Sequence, residues 1–266
     1  MSLIGIQTKT DMRWKATVAY DGSAFYGWQS QVGGNTVQDF IEARLAALFK
    51  RPIRIHGSSR TDSGVHARGQ VFHFDGEWNH PSVTLHRALM SGMPKGILIR
   101  EIHPVSEAFH ARYSAIRKRY IYRFHLGFAM PHEASYTLSL WERAIAIDPM
   151  RAAIPYLIGR HDFTAFSALS KEIMSTEDVM KEITELSLKQ EGNHFSLVVE
   201  GSGFLYKMVR SMMGALLEVG FGKIQPNDIL RILEGKKRTH EVVTAPACGL
   251  TLEQIYYPEG LDAESA

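Results

Sequence analysis

The chain has 266 residues, 45% hydrophobic and 22% charged, with a formal net charge of +2, the balance of an ordinary globular protein able to bury a sizeable core. Its apolar runs are broken by charge or glycine well short of a membrane span, and residues 1–12 lack the basic start and long apolar run of a signal peptide. A single cysteine, Cys248, excludes an internal disulfide framework and suits a reducing cytoplasm, while so small a net charge does not by itself argue for nucleic acid.

Arg13 to Tyr20 reads as a strand, with Trp14, Ala16, Val18 and Tyr20 on one face. Residues 21–34 form a loop rich in glycine and aromatics (Phe25, Tyr26, Trp28), rings that suit either base contacts or packing beneath the loop. Asn35 or Thr36 can cap a helix running to about Phe49, with Val37, Phe40, Ile41, Leu45 and Leu48 at helical spacing. Ile53 to Ser58 and Gln70 to Asp75 read as strands around a polar turn, and Thr84 to Ser91 as a short helix. Ile97 to Ile102 and Lys118 to His125 are strands, the second placing Tyr120, Tyr122 and Phe124 on one face. Asp148-Pro149 has the form of a cap followed by proline at the first helical position, and that helix should end near Gly159. Lys181 to Gln190 and His194 to Glu200 pair through a tight turn. Phe204 to Val219 is a helix stopped by Gly220 and Gly222, Pro226 to Leu233 another, and Leu250 to Tyr257 a last strand. Strand pairs flanked by helices predict an α+β fold, with halves at 13–110 and 111–258 joined through one largely antiparallel sheet and tails at 1–12 and 259–266.

The charge is sorted along the chain. Residues 44–68 hold six Lys/Arg and one acid, residues 112–123 hold five and none, and residues 172–200 hold seven acids and two lysines. Such sorting can present a basic face to a phosphate backbone, or simply form solvated surfaces. The one acid of the first basic stretch is Asp62, in the polar turn Arg60-Thr61-Asp62-Ser63-Gly64. A turn held between strands can aim that carboxylate into a cleft, although short polar turns are commonly only turns. Arg210 interrupts an apolar helix two turns before Glu218, too far for a good pair, so it needs a distant carboxylate or a phosphate. Lys207, one turn earlier, can snorkel to the surface.

Several chemistries find no support. Among twelve histidines there is no His-Glu-x-x-His, and there are no paired cysteines, so metal binding is not expected. No Walker loop, dinucleotide fingerprint or Gly-x-Ser-x-Gly elbow is present, so no nucleotide cofactor is expected.

Six segments then appear in a familiar order. Tyr20-Asp21-Gly22-Ser23 with Tyr26-Gly27-Trp28-Gln29 and Thr36-Val37-Gln38 comes first, followed by Arg60-Thr61-Asp62-Ser63-Gly64-Val65-His66-Ala67 and by Phe109-His110-Ala111-Arg112 with Arg119-Tyr120. His161 to Phe166, Phe204 to Arg210 and Ala245 to Leu250 complete the set. Together they resemble the bacterial tRNA pseudouridine synthase A family over about Lys15 to Pro258. Ser59 stands where that family usually has glycine and Ser63 where it often has alanine; the first bears on the turn, because serine resists positive φ more than glycine does.

The resemblance implies two related halves sharing an antiparallel sheet, helices on one side and the RNA cleft on the other, in a cytoplasmic homodimer that uses no cofactor and no metal. It implies isomerisation of uridine to pseudouridine at positions 38, 39 and 40 of the tRNA anticodon stem-loop. By motif match, Asp62 takes the place of the nucleophile, Tyr120 of the tyrosine that stacks on the target base and Arg210 of the arginine paired with the aspartate. Arg60 matches an arginine implicated in flipping out the base, while Lys207 and Leu250 take substrate-binding positions; Tyr120 is also a candidate proton acceptor or relay. Two rivals are a tRNA-binding or chaperone module without catalysis and a hydrolase using Asp62. Aspartate phosphatases want a second aspartate where this chain has Gly64, and no second carboxylate of a glycosidase is identifiable.

Overall fold

Strand β1 (Met12–Tyr20) alternates as the sequence predicts, with Trp14, Ala16, Val18 and Tyr20 buried. It lies antiparallel between β3 (His66–Gly76) and β4 (Ile97–Pro104). The computed structural model describes residues 11–141, 144–168 and 178–261. Residues 1–10 and 262–266 of the expected tails, and Glu172 and Glu177 of the acidic run, lie outside the described residues.

The hairpin β8 (Met180–Glu191) and β9 (His194–Gly201) turns at Gly192, whose φ of 60° suits glycine. β9 pairs with β5 (Arg117–His125), and β8 with the short β7 (Gly159–Asp162). The last strand, β10 (Leu250–Tyr256), lies between β3 and β5 and so joins the strands of the two ends of the chain into one sheet. Its order is β4-β1-β3-β10-β5-β9-β8-β7, with β2 (His56–Gly57) beside β3 and β6 (Leu138–Ser139) beside β5. Seven of the nine pairings are antiparallel; β10–β3 and β5–β6 are parallel. This is the α+β fold with a largely antiparallel sheet that the sequence predicts.

The described α-helices are α1 (Val37–Phe49), α2 (Ser82–Met90), α3 (Ile147–Ala153), α4 (Met208–Gly220) and α5 (Asp228–Glu234). Thr36 caps α1 in a reciprocal box with Asp39, which satisfies two orphan donors at once. Helix α4 is buried nearly all round, and Gly214 lets it touch the Val243 carbonyl so closely that any side chain would collide.

Most boundaries agree with the sequence reading to within two residues; four differences have a clear physical reason. The Ile53–Ser58 strand shrinks to β2, because the Ile55 N–H bonds Glu42 Oε1 at 3.0 Å and leaves the ladder. Strand β3 begins four residues early, since β10 pairs with His66 and Ala67 and the absence of a side chain at Gly69 admits the Glu253 carbonyl. Helix α3 opens at Ile147 and places Asp148 and Pro149 inside its first turn, where N–H groups lack partners anyway; it tightens to a 3-10 turn at Ile154–Leu157, around Pro155. Helix α4 starts at Met208, because Lys207 adopts the left-handed conformation with φ 59°.

Candidate active site

Residues 58–65 form the turn between β2 and β3, and the chain clamps it from several directions. The Trp28 N–H donates to the Thr61 carbonyl at 3.1 Å and the Gly64 N–H to the Gly22 carbonyl at 3.2 Å. Gly27, at φ 85°, lies where an added Cβ would meet Thr61 O at 2.6 Å, which explains the glycine between Tyr26 and Trp28. Tyr20 Oη and Thr61 Oγ1 share a hydrogen bond of 2.8 Å beneath the turn. Gln70, fully buried on β3, accepts from the Ser59 N–H at 3.2 Å and donates to the Ser59 carbonyl at 2.5 Å. The positive φ of the turn falls on Gly64, at 79°, and not on Ser59, so serine is accommodated there. Trp28 and Phe25 pack inward while Tyr26 is exposed, so two of the three loop aromatics serve packing beneath the loop.

The turn aims Asp62 at Arg210, in the first turn of α4. Arg210 Nη1 donates to Asp62 Oδ2 at 2.5 Å. Arg210 itself is anchored by Nε to the Ala245 carbonyl at 2.8 Å, and the Ala245 N–H returns a bond to the Arg210 carbonyl at 3.0 Å. The pair is the partner that the apolar helix demanded, and it leaves Asp62 Oδ1 unengaged by Arg210. The carboxylate is 20% exposed, enough to meet a ligand from the cleft.

That cleft has a volume of about 490 Å3 and is lined by Asp62, Arg210, Tyr120, Lys207, Leu250 and Arg60 among others, so all six sequence-predicted residues meet there. Their degree of engagement differs. Tyr120 projects from the buried side of β5, edge-on to Phe204, with its hydroxyl donating to Ser59 Oγ at 3.4 Å. Burial pushes its phenol up to about 12, so it is protonated at neutral pH. Leu250 is nearly buried at the start of β10, an apolar wall rather than a polar contact. Lys207 turns its ammonium over the Tyr206 ring, 4.9 Å from its centre. Arg60 is exposed and donates through Nε to Gln29.

The second basic stretch divides in two. On one face of β5, Arg117 and Arg119 meet Glu200, Arg119 also Glu185, and Arg123 lies near Glu253. These acids come from β8, β9 and β10, so the neutralisation is invisible in the basic stretch itself. Lys118, on the Tyr120 face, instead donates to the Ser58 carbonyl at 2.8 Å at the base of the turn. Burial, with Arg112 and Lys181 nearby, brings its ammonium down to about 8. Sequence reasoning gave no individual role to Gln70, to Lys118 within its basic stretch, or to Gln38 and Gln29 within their motifs. The available signal was polar residues among apolar neighbours: Gln38 beside Val37 and Ile41, and Gln70 before Val71-Phe72.

A cation-rich cleft around one aspartate can bind a polyanion and bring a carboxylate to an electrophilic carbon within it. A family model described as tRNA pseudouridine synthase matches residues 16–114 and 153–258. Among curated relatives, the tRNA pseudouridine synthase A of an Exiguobacterium species is 41% identical over 250 residues, covering 92% of this chain and 98% of that one. The protein of that name from Staphylococcus epidermidis is 41% identical over 254 residues, covering 95% and 94%. The one from Bacillus subtilis is 41% identical over 255 residues, covering 92% and 99%.

Proposed function

The chain belongs to the tRNA pseudouridine synthase family, isomerases that act on tRNA, and from that premise we propose that it converts uridine at positions 38, 39 and 40 of the anticodon stem-loop, with Asp62 as nucleophile. The observation that carries this reading is the Asp62–Arg210 pair, set in a cleft that also holds Tyr120 and several cations.

The reaction breaks the N1–C1′ bond, turns the uracil, joins C5 to C1′, and moves a proton from C5 so that N1 ends protonated. Nothing is gained or lost overall, so no cosubstrate is required. Asp62 attacks C1′, or takes a proton to assist a glycal route, while the base is detached. Arg210 orients the carboxylate through Oδ2 and leaves Oδ1 for the sugar. Extruding the uridine from its stack costs a few kcal/mol, part of which the Tyr120 ring recovers by stacking. Because Tyr120 stays protonated in the free protein, it serves as a stacking plane and a relay through Ser59 Oγ rather than as a standing phenolate. Arg60, Arg112, Lys118 and Lys207 hold the backbone.

We also read the protein as a cytoplasmic homodimer. Phe128 and Trp141 pair at 5.2 Å and are each 63% exposed, an apolar surface of the kind a second copy can cover. Among the described residues no helix is long and apolar enough to cross a membrane. Mapping modified uridines in unmodified tRNA incubated with the protein tests the position assignment: pseudouridine should appear at 38, 39 or 40, and modification confined to another arm would overturn it.

A further inference from the structure

A line of hydrogen-bonded side chains runs from helix α1 to Arg60. It begins at Glu42, whose Oε1 accepts from the Ile55 N–H at 3.0 Å and from Gln38 Nε2 at 2.7 Å. An ionised carboxylate only accepts, so the Gln38 amide must turn its NH2 toward Glu42 and its oxygen away. That oxygen accepts from the Ser30 backbone N–H at 3.0 Å, an independent donor that fixes the same orientation. It also accepts from Gln29 Nε2 at 2.8 Å. Gln29 has then spent its NH2, and its own oxygen faces Arg60 Nε at 3.2 Å. Each amide is oriented by the group before it, and the line has one direction only.

This arrangement leaves Arg60 held in an unusual way. The side chain is exposed, and among the described residues it has no carboxylate partner. An unheld arginine carries about 2 kcal/mol of rotamer entropy that any ligand contact must overcome. Here one neutral acceptor engages Nε and leaves both terminal nitrogens, a fork that matches two oxygens of a phosphate. A carboxylate in the place of Gln29 would hold the arginine as firmly but would cancel its attraction for RNA.

We propose that Gln29, oriented by Gln38 and Glu42, is a positioning residue that holds Arg60 by its Nε and aims its two terminal nitrogens at the phosphate beside the uridine being extruded. The inference rests on the uridine-isomerising reading of the cleft.

The test is a double-mutant cycle on the release of tritium from C5 of uridine in tRNA, with kcat and KM measured for wild type, Gln29→Ala, Arg60→Ala and the double variant. Gln29→Ala should lower kcat about tenfold and change KM by less than about twofold; in the Arg60→Ala background the same change should cost less than about twofold. Gln29→Met, close in shape and without the acceptor, should repeat the loss with an unchanged thermal midpoint, which separates positioning from folding. Gln29→Glu should raise KM, since its charge offsets that of Arg60. Equal losses with and without Arg60, or a wild-type rate in Gln29→Met, would overturn this inference while leaving the functional reading intact. No tritium release by the wild type would overturn both.

Discussion

Asp62 and Arg210 stand 148 positions apart and meet in one ion pair of 2.5 Å. What Arg210 does follows from how it is held. Its Nε is spent on Ala245 O and its Nη1 on Asp62, so it links the turn to α4 and to the segment before β10. Replacing it by Met keeps the packing of an apolar helix and removes both bonds. Asp62 then opens to the cleft, where water can solvate it, so the stability cost should be modest, about 1–2 kcal/mol. Turnover should fall about a hundredfold or more, because the carboxylate loses its orientation. Rates at saturating tRNA and urea unfolding of Arg210→Met check this; wholesale unfolding would make the pair a structural tie. The need for a partner was legible at Arg210, a cation in an apolar helix. Its identity was not, because pairing depends on which turn the sheet brings alongside, and several acids were eligible. Ser59 shows the converse: the serine raised a question about the turn, and it adopts no positive φ because Gly64 takes the left-handed conformation.

Among the elements, β3 does more than carry the turn. His73, midway along it, accepts the Ala111 N–H at Nδ1 at 3.1 Å and lies within a group of rings with His56, His110 and Phe109. This contact holds the Phe109–Arg112 segment against the sheet at the edge of the cleft. Burial, reinforced by His110, His56 and Arg13, lowers His73 to about 4 from 6.5, with Asp75 opposing. Between those values the folded protein binds fewer protons than the unfolded chain, so stability rises with pH across that window. It is complete above about 6.5 and is lost as pH falls toward 4, by at most about 3 kcal/mol. Urea unfolding at pH 7.5 and pH 5 should show the loss, and His73→Gln, which keeps an acceptor but does not titrate, should flatten it. The elements themselves were largely legible, because alternation in β1 and β5, the tight turn between β8 and β9 and the cap of α1 are local signals. Their ends were not. Ile55 leaves its strand for Glu42, and β3 extends to His66 because a strand from the far end of the chain pairs with it. Those are tertiary effects that no window of sequence contains.

At the scale of the whole molecule, the sorting of charge resolves into two surfaces. The acids of β8, β9 and β10 neutralise Arg117, Arg119 and Arg123, while Arg60, Arg112, Lys118 and Lys207 have no carboxylate partner among the described residues and line the cleft. A net charge of +2 therefore hides a strongly basic site. The homodimer reading belongs at this scale too. Light scattering of the active protein should return the mass of two chains, and a single-chain mass under conditions of full turnover would contradict it. The central claim is that Asp62 performs the isomerisation in a cleft that binds tRNA by other residues. The most direct measurement is tritium release from C5-labelled tRNA by Asp62→Asn, set beside the binding of the same tRNA. The account predicts no detectable release with binding close to that of the wild type; turnover retained in Asp62→Asn would contradict it.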